Sequence, residues 1–234
     1  MHIMKENVNS DKRVTLSELD LPGDLKNLTI NQCSYLCNEI RNILISTVSK
    51  TGGHLASNLG SVELTMALHR NFDSPNDKIV WDVGHQAYTH KILTGRADRF
   101  STLRQEGGIS GFPKPCESEH DSFISGHSST SVSVACGIAE AMKLQGRDNY
   151  AVAVIGDGAM TGGMFYEAMN NCGRGGVNNI IVILNDNDMS ISKSVGALSG
   201  YLTSLRNTEK YANTKRAIHR GLDKIPFGNS IEKG

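Results

Sequence analysis

The chain has 234 residues, and its 24 lysines and arginines balance its 24 aspartates and glutamates, so the formal charge is zero at neutral pH. A neutral chain lacks the positive surface that binds nucleic acid or an anionic membrane without sequence specificity. No apolar run approaches the roughly 20 residues of a membrane span, and Met1–Arg13 resembles neither a secretory signal nor a transit peptide. The five cysteines are odd in number and lack paired zinc spacing. Reduced thiols and a cytoplasmic location are therefore expected.

The beginning of the chain predicts a flexible segment and two helices. We expect residues 1–15 to be flexible, because they are almost entirely polar. An apolar stripe over residues 33–48 indicates an amphipathic helix that Thr29 or Asn31 would cap. A second helix is predicted over residues 61–69.

Two histidines lie next to glycines, where loops join regular structure. Two glycines precede His54, so the backbone presents this imidazole without a helix face that could bury it. From the residues alone His54 is open to a functional or a structural interpretation. The apolar run Lys78–Val83 predicts a strand, and His85 follows at its carboxyl end. We interpret His69 and His90 as structural.

The middle of the chain holds three loop-like segments. Residues 107–113 form a glycine-containing loop to which the sequence assigns no chemistry. Residues 118–121 contain the residue types of a catalytic triad, but consecutive residues cannot all converge, so no catalysis is assigned to them. Residues 125–131 are small and polar and open a helix over Val132–Leu144. Their hydroxyl groups are expected to cap that helix and to leave backbone N–H groups for an anion.

The stretch from Ala151 to Ser192 predicts a βαβ unit. Ala151–Ile155 and Ile180–Leu184 are short apolar runs without alternation, as in strands that are covered on both faces. Residues 165–171 between them are compatible with a helix, so the two strands should be parallel neighbours. The predicted fold class is α/β, with a doubly wound and mostly parallel sheet.

Polar side chains follow both of these strands. Asp157 lies between two glycines after the first strand, and Asp186, Asn187 and Asp188 follow the second. Ligands of open parallel sheets bind at the carboxyl ends of the strands. A carboxylate repels phosphate unless a cation lies between them, and Mg²⁺ commonly bridges protein carboxylates and substrate phosphates. The pattern therefore favours a Mg²⁺–diphosphate site built on Asp157 and Asn187.

Two other interpretations of this stretch remain open. Gly-Asp-Gly by itself is most often a turn. Gly156, Gly158 and Gly162 also resemble the glycine fingerprint of dinucleotide-binding folds, in which Asp186 would bind a ribose hydroxyl. The glycine spacing departs from that fingerprint, and Asp157 would then face the pyrophosphate without a metal.

Several motifs together resemble one family. GDGAMTGG, followed by NDNDMSIS, is similar to the thiamine-diphosphate motif. The blocks SKTGGHLASNLG, WDVGHQAYTHKILTGR, GGISGFPK and SGHSSTS resemble the 1-deoxy-D-xylulose-5-phosphate synthases, a transketolase-like family. The resemblance runs from about Leu16 to about Pro226. It implies condensation of pyruvate, with loss of CO₂, with glyceraldehyde 3-phosphate to give 1-deoxy-D-xylulose 5-phosphate, which serves isoprenoid, terpenoid and thiamine biosynthesis.

The resemblance also implies roles for individual residues. His54 and His127 would act at the reacting carbon of thiamine diphosphate. The main-chain oxygen of Met189 would join Asp157 and Asn187 as ligands of Mg²⁺. The residues expected to contact the cofactor are His85, Gly126, His127, Ser128, Gly158, Ala159 and Asn187.

The resemblance implies that this chain alone is incomplete. In the family the glutamate that activates the cofactor ring belongs to a following domain that this sequence lacks. We therefore expect residues 16–200 to form the cofactor-binding domain and residues 201–234 a basic helical tail or linker. A partner chain would supply the pyrimidine-side and C-terminal domains, and a homo-oligomer is expected. The alternative is a truncated, non-catalytic domain that binds the cofactor or regulates an intact enzyme.

Overall fold

The structure, a computed structural model, describes residues 12–174 and 176–185, which lie in the first of two compact units, Met1–Met189. Several predictions fall outside the described residues. They are the flexibility of residues 1–11, the two metal ligands Asn187 and Met189, and the basic tail 201–234.

The described residues contain one sheet of three parallel strands. The strands are β1 (Lys78–Trp81), β2 (Ala151–Gly156) and β3 (Ile180–Asn185), with β2 in the centre. β2 pairs with both neighbours in parallel, so the predicted βαβ unit is confirmed. β1 ends two residues earlier than predicted because Val83 takes a positive φ of 58° and turns the chain away from the sheet.

Six α-helices accompany the sheet in the described ranges. Their bounds are α1 Ile30–Thr51, α2 Leu55–Leu59, α3 Val62–Asn71, α4 Tyr88–Lys91, α5 Ser131–Leu144 and α6 Gly163–Gly173. Thr29 is the N-cap of α1, and its side chain and that of Gln32 each accept a backbone N–H from the other residue. Of the two predicted caps, Thr29 therefore fills the position. None of these helices combines the length and the apolar character needed to cross a lipid bilayer.

Helices cover both faces of the sheet. Ala153 and Ile155 of β2 pack against α5 and α6 on one face. Val152 and Val154 pack on the other face with Leu68 of α3. β2 is thus buried on both sides, as its unbroken apolar sequence predicts. The doubly wound α/β class is confirmed.

β3 is less buried than its sequence suggests. Val182 is 36% exposed and Leu184 is 40% exposed, so the prediction of a strand covered on both faces is wrong for β3. Ile181 and Ile183, which point to the opposite side, pack against the cluster that contains Leu68. β3 lies at the edge of the sheet in the described ranges, with β2 as its one strand neighbour.

Candidate functional site

Most of the predicted site residues follow the carboxyl ends of the three strands. His85 lies in the loop after β1, and Asp157, Gly158 and Ala159 lie in the loop after β2. The strands are parallel, so these loops leave the sheet at the same edge. Hydrogen bonds between the loops, described next, join this edge to the segments that carry His54 and His127.

The structure brings His54 and His85 together. Their ring centroids are 5.4 Å apart with an interplanar angle of 68°. His54 is exposed, whereas His85 is half-buried and its Nδ1 has no hydrogen-bond partner among the described residues. Burial, and then the neighbouring His54, lower the pKa of His85. His85 is therefore a neutral imidazole near neutral pH.

Sequence reasoning missed Asn58, which connects the two histidine loops. The Asn58 side chain is fully buried. Its amide group donates hydrogen bonds to the backbone carbonyls of His54 and His85 and accepts one from the backbone of Tyr88. Its position, a polar residue within the apolar turn LASNL, was the only signal in the sequence.

The turn that carries Gly126, His127 and Ser128 is exposed and is held by Asp82. The Asp82 carboxylate accepts hydrogen bonds from the backbone N–H groups of Ser129 (2.9 Å) and Ser131 (3.0 Å). The prediction that hydroxyl side chains cap α5 is wrong, because Thr130 makes no capping hydrogen bond and the carboxylate replaces it. These two N–H groups are consequently not free for an anion. Asp82 follows β1 directly, as Asp157 follows β2, although the sequence analysis placed Asp82 inside the predicted strand.

Ser129 also ties this turn to the glycine loop after β2. Its hydroxyl donates a 2.6 Å hydrogen bond to the backbone carbonyl of Ala159. The glycine loop itself forms a 3₁₀ helix over Gly158–Thr161 that begins directly after Asp157. A Cβ added at Gly158 would meet no atom within 4 Å, so the loop is open on that side. The backbone of Gly158 is therefore accessible to a phosphate group.

A further hydrogen bond joins the end of β3 to the loop after β1. The side chain of Asn185 donates to the side-chain oxygen of Gln86 at 3.1 Å, across 99 residues of sequence. Gln86 is buried and lies next to His85. The strand end that leads toward Asn187 is thus anchored to the His85 loop.

The loop 107–113, to which the sequence assigned no chemistry, lines a cavity of about 640 Å³. Arg99, Arg104 and Lys114 also line it, and none of their side chains forms an ion pair with a described residue. The guanidinium of Arg104 lies 3.7 Å from the position of a Cβ added at Gly52, beside the His54 loop. The cavity offers positive charge that suits an anionic ligand.

A buried cluster of four charged residues fixes this loop. Lys91 and Arg96 form ion pairs with Glu117 and Asp121, and all four side chains are buried or nearly so. Glu117 accepts a hydrogen bond from the backbone of Ser110, and Asp121 accepts one from the backbone of Lys114. Within segment 118–121, His120 forms a hydrogen bond with Ser74, whereas Asp121 belongs to the charge cluster.

His69 and His90 extend this cluster and are buried, as the structural interpretation requires. Asp121 can only accept, so Nε2 of His90 carries the proton in their 3.1 Å hydrogen bond. Burial lowers the pKa of both histidines. Nδ1 of neutral His90 then accepts from Nε2 of His69 at 2.9 Å, which leaves Nδ1 of His69 as an unpartnered acceptor.

The lowered pKa values of four histidines predict how the free energy of unfolding depends on pH. Burial is the leading cause that lowers the pKa of His69, His85, His90 and His120. Below about pH 6.5 the unfolded chain binds protons that the folded chain does not, so the free energy of unfolding should fall as the pH drops. The fully buried His69 and His90 each contribute up to about 1.4 kcal/mol per pH unit, and the partly exposed His85 and His120 contribute less because solvent screens them. Urea unfolding from about pH 8 to about pH 5 measures this slope, and His69→Gln should reduce it. A flat profile down to about pH 5 would contradict the prediction.

The sequence matches one protein family over nearly its whole length. The family model described as 1-deoxy-D-xylulose-5-phosphate synthase matches residues 16–233. The synthase of Syntrophomonas wolfei is 59% identical over 211 residues, which cover 90% of this chain and 33% of that protein. The synthase of Pelotomaculum thermopropionicum is 57% identical over 216 residues, which cover 92% of this chain and 34% of that protein. The chain thus spans about a third of the length of the curated relatives that it matches.

Solved structures share the fold at low sequence identity. A transketolase from Leishmania mexicana superposes with a TM-score of 0.59 at 21% identity, covering 71% of this chain and 30% of the transketolase. A transketolase variant from Pichia stipitis gives a TM-score of 0.60 at the same identity, covering 71% of this chain and 29% of the other. The likeness to these two structures shows the fold alone, whereas the match to the family model over nearly the whole sequence establishes that the chain belongs to the 1-deoxy-D-xylulose-5-phosphate synthase family.

Proposed function

We propose that this chain provides the Mg²⁺–diphosphate half of a thiamine-diphosphate-dependent enzyme. The enzyme condenses pyruvate, with loss of CO₂, with glyceraldehyde 3-phosphate to form 1-deoxy-D-xylulose 5-phosphate. The observation that carries the proposal is the linkage of four segments at one edge of the sheet. Those segments carry His54, His85, Gly126–Ser128 and Asp157, and side chains of the chain itself hold them together.

The described residues fit the diphosphate end of the cofactor. Asp157 supplies a carboxylate directly after β2, and the open side of Gly158 leaves its backbone accessible. Asn187 and the main-chain oxygen of Met189 would complete the protein ligands of Mg²⁺, which prefers oxygen atoms. The backbone of Gly158 and Ala159 would bind the phosphates.

The remaining site residues would act at the ring end. Thiamine diphosphate supplies a thiazolium that stabilises a carbanion. His85 is half-buried beside His54 and would contact the cofactor as a neutral imidazole. His54 is exposed beside it and would hold or release a proton at its own ring nitrogen. His127, in the exposed turn before α5, would form a hydrogen bond near the reacting carbon, and Gly126 and Ser128 would contact the cofactor.

The basic cavity fits the charge of the proposed substrates. Pyruvate carries a carboxylate and glyceraldehyde 3-phosphate carries a phosphate, and both need compensating positive charge when they are desolvated. Arg99, Arg104 and Lys114 line this cavity, and the guanidinium of Arg104 lies beside Gly52 at the His54 loop.

Catalysis would also require parts of the protein that this sequence does not contain. The curated relatives are about three times as long as the region matched here. We propose that the activating carboxylate and the pyrimidine-side and C-terminal domains come from that remaining length, in the same polypeptide or in a partner chain. A homo-oligomer is part of the proposal.

Asp157→Ala tests the metal and cofactor site. Thermal and urea unfolding of the purified chain are measured with Mg²⁺ and thiamine diphosphate together and with each alone. At about 100 times the Kd, binding should add about 2.7 kcal/mol to the free energy of unfolding, and Asp157→Ala should lose most of this gain.

Asp148→Ala is the matched control for this experiment. Asp148 is an exposed aspartate just before β2, at the opposite end of the strand from Asp157. This variant should keep the full stabilisation. An NAD⁺ arm tests the dinucleotide interpretation. Stabilisation by NAD⁺ but not by Mg²⁺ with thiamine diphosphate would overturn the proposed function.

A further inference from the structure

The side chain of Asn58 uses both of its donors and its acceptor oxygen on the segments that carry the two histidines. Nδ2 donates to the backbone oxygen of His54 at 2.6 Å and to that of His85 at 2.7 Å. Oδ1 accepts from the backbone N–H of Tyr88 at 2.9 Å. These partners belong to segments about thirty residues apart in the sequence, and the contact lies in the protein interior because Asn58 is 0% exposed.

This arrangement requires an asparagine. Two donors and one acceptor must emerge from one short side chain, and among side chains of that length only the asparagine amide supplies both kinds. Aspartate has no donor at neutral pH and would place a negative charge against two carbonyl oxygens. Leucine, of similar volume, would leave two buried carbonyls and one buried N–H unpaired.

We propose that Asn58 is the positioning residue that sets the spacing and mutual orientation of the His54 and His85 rings. Asn58 bonds to the backbone of both residues and to neither imidazole, so it acts through the loops. The two carbonyls converge on one Nδ2 atom, which fixes the distance between the two chain segments. With that distance fixed, the ring centroids lie 5.4 Å apart.

A close approach at Gly53 also restricts the distance between the His54 and His85 loops. A Cβ added at Gly53 would lie 2.6 Å from the Tyr88 hydroxyl, so glycine permits the two loops to approach. The Ser61 hydroxyl lies 3.2 Å from each of the backbone carbonyls of Asn58 and Gln86 and shares its single proton between them. Ser61 contacts neither the His54 carbonyl nor the His85 carbonyl in this way. It therefore provides a matched comparison for a purely structural loss.

The test measures the coupling between the two rings in the purified chain without cofactor. Histidine ring NMR titrations give the pKa of His85 in the native sequence and in His54→Gln. Removing His54 should raise the pKa of His85, because His54 is one of the groups that lower it, while Asp82 acts in the opposite direction. In the Asn58→Ser variant, His54→Gln should shift the pKa of His85 by less than half of the shift that it causes in the native sequence. Asn58→Leu should abolish the coupling.

Ser61→Ala separates positioning from general stability. It loses a buried hydrogen bond of the same loop and should keep the full coupling between His54 and His85. The proposal is overturned if Asn58→Ser retains the native coupling, or if Ser61→Ala reduces it to the same extent. Asn58→Ser keeps one hydrogen-bond donor, so the coupling measured in this variant tests the proposal even if Asn58→Leu does not fold.

The inference rests on the proposed function only in treating the two rings as reacting groups. The NMR titrations require neither Mg²⁺ nor thiamine diphosphate. If Mg²⁺ with thiamine diphosphate does not stabilise the chain, the proposed function is overturned and the role of Asn58 still stands. If the coupling between His54 and His85 is unchanged in Asn58→Ser, only the role of Asn58 is overturned.

Discussion

Asp121→Asn should lower the free energy of unfolding by about 3–5 kcal/mol, because it leaves buried positive charge without its partner. Asp121 is 2% exposed and accepts hydrogen bonds from His90, from both Arg96 terminal nitrogens and from the backbone of Lys114. Burial opposes its ionisation, but the hydrogen bonds from His90 and Arg96 prevail and hold its pKa well below the usual value. Urea unfolding at neutral pH measures the loss.

Asp73→Asn is the control for this prediction. Asp73 forms a 2.8 Å ion pair with Lys26, and both side chains are exposed, so the same chemical change should cost less than about 1 kcal/mol. Adding Lys91→Met to Asp121→Asn removes one charge of each sign and should recover part of the stability, since Arg96 and Glu117 remain paired. Equal losses in Asp121→Asn and Asp73→Asn would contradict the account of the cluster.

Gly162→Ala should destabilise the chain by about 1–3 kcal/mol through overpacking, with about 1 kcal/mol more from a lost hydrogen bond. The backbone at Gly162 has φ −78° and ψ 144°, which alanine adopts freely, so the effect is steric. The added Cβ would overlap the Ser129 hydroxyl and lie 2.8 Å from the Ser129 Cβ. Ser129 would have to give up its hydrogen bond to the Ala159 carbonyl, and the contact between the turn before α5 and the loop after β2 would be lost.

A compensating variant and a control accompany this substitution. Ser129 has a φ of 70°, in the region that favours glycine, so Ser129→Gly combined with Gly162→Ala should remove the clash without backbone strain. Gly137→Ala, in the exposed middle of α5 with no atom within 4 Å of the added Cβ, should instead stabilise the chain by about 0.5–1 kcal/mol. Urea unfolding measures each variant. A Gly162→Ala variant as stable as Gly137→Ala would contradict the steric argument.

Local sequence patterns were sufficient to predict the main strands and helices and the edge of the sheet at which the site residues are expected. Apolar runs without alternation marked β2 and β3, and the glycines around Asp157 marked the loop after β2, because these signals depend on neighbouring residues only. The cap of α1 was predicted as Thr29 or Asn31 for the same reason, and the structure selects Thr29, whose capping-box partner lies three residues away. The family resemblance, carried by short motifs, was confirmed over nearly the whole chain.

The hydrogen bonds that hold these loops together could be identified only in the folded structure. Asp82 replaces the expected hydroxyl cap of α5 from 47 residues away, and Asn185 reaches Gln86 across 99 residues. Asn58 and the charge cluster around Asp121 likewise join segments that no local pattern relates. Whether a buried polar side chain finds its partners depends on the packing of distant elements, and that packing is fixed when the whole sheet and its helices assemble rather than by the residues beside it in sequence.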